Sequence, residues 1–174
     1  MPFAYYDRLS AGQKRIYRRS DEIPKIPLAD ARAAWPLVPP LQAALVADDR
    51  RALERACQTL ADALAADLRV PPINLVVLAA RPSHDWGELH GLYEPQRGRP
   101  PRVTLWMRTA RLRRVVAFKS FLRTFLHELC HHLDYELLGL ADSFHTEGFY
   151  KRESSLFHQL VTDAAAAIAG SGPT

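Results

Sequence analysis

The sequence predicts an α+β fold: an N-terminal helix, a three-stranded sheet, a long helix and a last helix. Two observations carry this. Apolar residues recur every three or four positions in three separate stretches, which is the period of a helix packed on one side. Between the first two stretches the apolar residues become continuous or alternate, which is the signature of strands.

Taken in order, residues 1–40 read as an irregular N-terminal arm. Pro2, Pro24, Pro27, Pro36, Pro39 and Pro40 interrupt it, and only Ser10 to about Arg19 has room for a short helix. Residues 41–174 then form one domain. Leu53, Ala56, Leu60 and Leu64 set the helical period from Leu41 to Leu68, and Pro71-Pro72 ends that helix. Ile73–Ala79 is a short apolar run between prolines and reads as a buried strand. Gly87–Glu94 alternates loosely; Val103, Leu105 and Met107 alternate cleanly. The Pro/Gly-rich stretch Pro95–Pro101 joins them as a hairpin loop. The long helix is expected from about Val115 to Leu138, stopped at Gly139. The last runs from about Thr146 to Ile168, packing through Phe149, Leu156, Phe157, Leu160 and Val161.

Composition narrows the function classes. The 174 residues are 48% hydrophobic and 24% charged, as in a globular domain with a core of its own. A run of eighteen apolar residues and a signal-peptide layout are both lacking, so neither a membrane span nor secretion is expected. Two cysteines, Cys57 and Cys130, cannot build a disulfide framework or a zinc ribbon, and a cytoplasmic location follows as the expectation. The net charge of +4 is unevenly placed. Between Pro95 and His127 there is no acid, but there are Arg97, Arg99, Arg102, Arg108, Arg111, Arg113, Arg114, Lys119 and Arg123. Weak, salt-sensitive, sequence-independent DNA binding is expected of such a block, as is a solvated basic face.

The chemistry lies in the long helix. His127-Glu128-Leu129-Cys130-His131 is an HExxH motif. Residues i and i+4 stand one above the other on a helix, so both imidazoles can reach one metal ion. Glu128 is rotated by about 100° from His127, which frees it to deprotonate a water instead of ligating. The surrounding helix is apolar: Phe121, Leu122, Phe125, Leu126, Leu129 and Leu133. Polar side chains set among them cost desolvation unless they bind something. His145 follows His131 by 14 residues, past Gly139, and supplies a third ligand. Three protein ligands and a water are the usual open arrangement of catalytic zinc.

These segments resemble the SprT-like branch of zinc metallopeptidases. The resemblance rests on His127–His132 (HELCHH) followed by Ser143–Tyr150 (SFHTEGFY), and on the strands Gly91–Glu94 and Val103–Met107. It spans roughly Ile73–Leu160, about half the chain. Thr146 stands where the family usually has Gly, and the family's C-terminal cysteine module is absent. The resemblance implies that residues 41–174 are a single, minimal zincin-like metallopeptidase domain. It implies a Zn2+ cofactor on His127, His131 and His145, Glu128 as general base, and a protein or peptide substrate. An edge strand beside the metal helix would let an extended peptide pair with it.

Other residues have competing expectations. Glu153 and Glu147 are rival third ligands, Glu153 because a Glu on the following helix ligates zinc in the gluzincins. Asp134 either orients an imidazole or is a plain surface acid. Tyr150 either donates to an oxyanion or packs at a helix start. His132 reads as a supporting or surface residue, His90 as a strand residue that could border the cleft, and His84 and His158 as uninvolved. Cys57 and Cys130 read as core. Tyr5, Tyr6 and Tyr17 are candidates to cover the cleft. Two further functions stay open: a nucleic-acid-associated binding protein with structural zinc, and a peptidase inhibited by its own N-terminal arm.

Overall fold

The computed structural model describes residues 3–81, 83–84, 87–88 and 90–165. The fold is mixed α+β. Helices α1 (Ala11–Asp21), α2 (Ala31–Ala34), α3 (Val38–Val46) and α4 (Arg50–Leu68) precede the strands. Strands β1 (Asn74–Ala80), β2 (Ser83–His84), β3 (Gly87–Glu88), β4 (Gly91–Glu94) and β5 (Arg102–Arg108) follow. Helices α5 (Phe118–Glu136) and α6 (Glu147–Phe157) come last, with one π turn (His158–Thr162) after α6. The last helix was expected to reach Ile168, and that end lies outside the described residues.

The expected single helix over Leu41–Leu68 is two. Asp48 takes a left-handed φ of 58°, and Asp49 caps α4 by accepting from the Ala52 N–H at 2.9 Å. Short acidic side chains favour such a break because they replace helical hydrogen bonds locally. Arg108 pairs with Asp48 and ties the break to the end of β5. Pro39 and Pro40 do not disrupt α3; they stand in its first turn, where no intrahelical N–H is needed.

The N-terminal arm is not a loose appendage. Ser10 and Gln13 cap α1 reciprocally, and Tyr17, Ser20, Ile26, Ala34 and Val38 are buried. Gln159 accepts from the Leu28 N–H and donates to the Ile26 carbonyl, each at 2.9 Å, holding this stretch on the turn after α6. Residues of this stretch thus pack against the rest of the chain.

The main sheet has the order β1-β5-β4, with β1 parallel and β4 antiparallel to β5. The expected strand Gly87–Glu94 divides. Gly87–Glu88 pairs with Ser83–His84 in a separate two-stranded sheet, and only Gly91–Glu94 joins β5. Leu75, Val77, Val103, Leu105 and Met107 share one core with the apolar faces of α4 and α5. The long helix starts at Phe118, later than expected. Val115 and Val116 are drawn into pairing with the end of β5, where the Val116 N–H donates to Met107 at 2.8 Å. Beyond α5, Gly139 turns the chain at φ +60°.

The two edges of this sheet differ. Side chains of α4 close the β1 edge. Glu54 accepts from the Val77 N–H (2.8 Å), Gln58 accepts from Leu75 (2.8 Å) and donates to Ile73 (3.0 Å), and Arg50 donates to Val77 (3.0 Å). Such cover keeps other strands off an edge. The opposite edge, β4, lies against α5 and borders the cavity described next. Among the described residues no helix is long and apolar enough to cross a membrane.

Candidate metal centre

The core face of α5 buries Phe121, Leu122, Phe125, Leu126, Leu129 and Leu133. His127 and His131 lie off that face, half-buried. His145 comes from the loop before α6, whose first turn is capped by Thr146 accepting from the Phe149 N–H at 2.9 Å. The three imidazoles converge. His145 Nε2 stands 3.0 Å from His127 Nε2 and 3.1 Å from His131 Nε2. One nitrogen from each lies within 4.8 Å of the others, a group that could hold a metal ion.

The ring positions are set from behind. His127 Nδ1 is 3.2 Å from Glu153 Oε2, and His131 Nδ1 is 2.7 Å from Ser143 Oγ. Ser143 donates onward to Asp134 Oδ2 at 2.7 Å. Both Nδ1 atoms are therefore donors, and both Nε2 atoms present lone pairs. A proton on His145 Nε2 could satisfy only one of its two neighbours, whereas a cation at the centre satisfies all three. Tetrahedral zinc at about 2.0–2.1 Å from nitrogen separates its ligands by roughly 3.3–3.4 Å, close to the spacing seen. Burial and the two neighbouring histidines push the His131 imidazole down to about 3; burial and His127 lower His145, with Glu153 opposing. Neutral imidazole is the ligating form. The donor set fits a metal, but three imidazoles suit zinc, copper, iron and nickel alike.

Glu128 lies beside this group. It is 6% exposed, and burial raises its carboxyl to about 7; His127 and the backbone N–H of Tyr93 oppose the rise. A carboxyl that titrates near neutral pH is suited to moving protons. Gly91 makes room for it: a Cβ there would come within 2.6 Å of Glu128 Oε1 and 2.9 Å of Thr124 Cγ2. A glycine inside a strand pattern is a signal of such close approach, one that the loose alternation around it obscured. Gly91→Ala is expected to cost about 1–3 kcal/mol of stability through overpacking, read as a lower urea midpoint of the metal-free protein. An unchanged midpoint would mean that Glu128 swings aside freely.

The histidines and Glu128 line a cavity of about 610 Å³, with Gly91, Leu92 and Tyr93 of β4 as one wall. Among the described residues none of the N-terminal segment lines it, so Tyr5, Tyr6 and Tyr17 do not cover the cleft. Their rings pack instead among themselves and against Phe3 and Phe144, mostly edge-on or tilted.

The other candidates separate clearly. Glu153 holds the far nitrogen of His127 and is not in the three-histidine group. Glu147 is exposed and pairs with Lys151 at 2.7 Å. Asp134 is buried and acts on His131 through Ser143, whose part had no signature in the motif. His132 is fully buried, between the Tyr93 hydroxyl (3.2 Å) and the Pro71 carbonyl (2.8 Å). Tyr150 places its ring 5.9 Å from that of His145 and 6.1 Å from that of His127. His90 borders the cavity, and His158 bonds Thr162 at 3.0 Å. The side chain of His84 lies outside the described residues. Cys57 and Cys130 are free and buried.

The basic block is not one patch. Arg97 and Arg99 lie in the β4–β5 loop, while Arg111, Arg113 and Arg114 follow the other end of β5, a seven-residue strand of roughly 20 Å. Arg108 pairs with Asp48; Arg123 pairs with Glu153 and lies over the Phe157 ring. Only Arg123 of the block lines the cavity. A polyanion would meet two separated strips.

Comparison of the chain with models of known families, with curated proteins and with solved structures finds no match in any of the three.

Proposed function

We propose that this chain is a zinc-dependent metallopeptidase. The observation that carries the proposal is the convergence of three imidazoles beside a buried carboxyl group, at one wall of an open cavity. His127, His131 and His145 would hold the ion, which when bound supplies a Lewis acid and lowers the pKa of water. Glu128 takes the proton of the attacking water and returns it to the leaving amine. Glu153 and Ser143 keep the imidazoles of His127 and His131 turned inward while this happens. β4, the sheet edge that α4 does not close, offers its backbone to an extended peptide. Peptide as the substrate class rests on the resemblance to SprT-like peptidases. A structural zinc site is normally closed by four protein ligands. Three imidazoles facing a cavity favour catalysis over a structural zinc in a nucleic-acid-binding protein.

Metal content tests the ligand set. The purified protein is expected to hold about one zinc per chain. His145→Ala is expected to lose it on dialysis against a mild chelator that leaves the wild type loaded. Zinc retained at full stoichiometry by His145→Ala would move the third ligand elsewhere.

A further inference from the structure

We propose that the N-terminal segment is a working part of the metal centre, with Tyr5 positioning His145 and Ser20 positioning His131 through Arg152. The proposal rests on the metal reading above and adds what gives that site its geometry.

His127 and His131 are set by a rigid helix. His145 is on a loop, and a ligand on a loop needs outside support to be placed accurately. Much of that support comes from the far end of the chain. The Tyr5 hydroxyl donates to the His145 carbonyl at 2.9 Å. Just beyond, the Gly148 N–H donates to Asp21 Oδ1 at 2.8 Å. The two backbones touch there: a Cβ on Gly148 would come within 2.5 Å of the Asp21 carbonyl oxygen and 2.7 Å of that of Ser20.

A second route runs to His131. Arg152 is fully buried and donates to the carbonyls of Ser20 (2.6 Å) and Ile23 (2.7 Å), and to Ser20 Oγ (2.9 Å). It also donates to Asp134 Oδ1 at 2.8 Å. Asp134 accepts from Ser143, which accepts from His131. The segment therefore reaches two ligands on different elements by independent paths. Core packing does not account for α1, since only Tyr17 and Ser20 of its eleven residues are buried. What α1 does have is contact with the loop that carries His145.

Support behind a metal ligand is typically worth ten- to a hundredfold in affinity. The test is Tyr5→Phe in the full chain, which removes one hydroxyl and keeps the ring. Tyr6→Phe is the control; its ring packs on Tyr17, 4.9 Å between centroids. Zinc affinity is read by competition with a chromophoric chelator, and site geometry from the visible absorption of the Co2+-loaded protein. Tyr5→Phe is expected to bind zinc about tenfold more weakly and to alter the cobalt spectrum. The urea midpoint of its metal-free form should stay at the wild-type value, and Tyr6→Phe should match wild type throughout. Wild-type affinity and spectrum in Tyr5→Phe would overturn the proposal alone, as would equal losses in both variants. A wild-type protein that takes up neither zinc nor cobalt would overturn it together with the metal reading.

Discussion

Glu128→Gln is expected to keep its zinc and to hydrolyse an unfolded protein substrate about a hundredfold more slowly, or worse. General-base assistance is typically worth a factor of about 10² to 10⁴. The substitution is close to isosteric in a position where size matters, since Gly91 leaves no slack against this side chain. The amide oxygen can still accept from the Tyr93 N–H, which contacts the carboxylate in the wild type. It cannot take a proton from water. Fold and metal content should therefore survive while turnover does not. Hydrolysis at the wild-type rate, with zinc content measured in the same sample, would remove Glu128 from the chemistry.

The largest effect on stability is expected from Arg152→Ala. The Arg152–Asp134 ion pair has both side chains at 0% exposure. Removing one partner of a buried pair typically costs about 3–5 kcal/mol, because the other charge is left in a poor solvent. The carbonyls of Ser20 and Ile23 also lose their donor. For a chain of this size, each kcal/mol lowers the melting temperature by about 2–4 °C, so a fall of roughly 6–20 °C is expected in the metal-free protein. Pairing Arg152→Met with Asp134→Leu should recover a large part of it, since no charge then stays buried. A thermal melt of Arg152→Ala within about 2 °C of wild type would show that water or side-chain movement replaces the guanidinium.

The parts of the site that could be read in advance are local ones. His127 and His131 are one helical turn apart, so their shared direction follows from the backbone period whatever the rest of the chain does. His145 follows a helix stop and a turn, and a short loop leaves it few places to go. The errors fell where distant segments compete for a residue. Val115 has a helical pattern, yet it pairs with Arg108 at the end of β5. Leu41 and Leu68 bracket a continuous helical period, yet Asp48 turns the chain and is held there by Arg108.

Local spacing was enough to give an α+β chain, a histidine pair on one helix face, the third histidine, and a carboxylate placed beside them. These depend on spacings of a few residues and on the two periods of regular backbone. What stands behind those residues follows from long-range packing: Glu153 against His127, Ser143 and Asp134 against His131, and Gly91 against Glu128. It also turned a proline-broken N-terminus into the support of His145. A hydrogen bond such as that from Tyr5 to His145 joins residues 140 positions apart, and no local propensity records it. Such a bond forms because packing elsewhere in the fold brings the two segments together and leaves donor and acceptor within reach of each other.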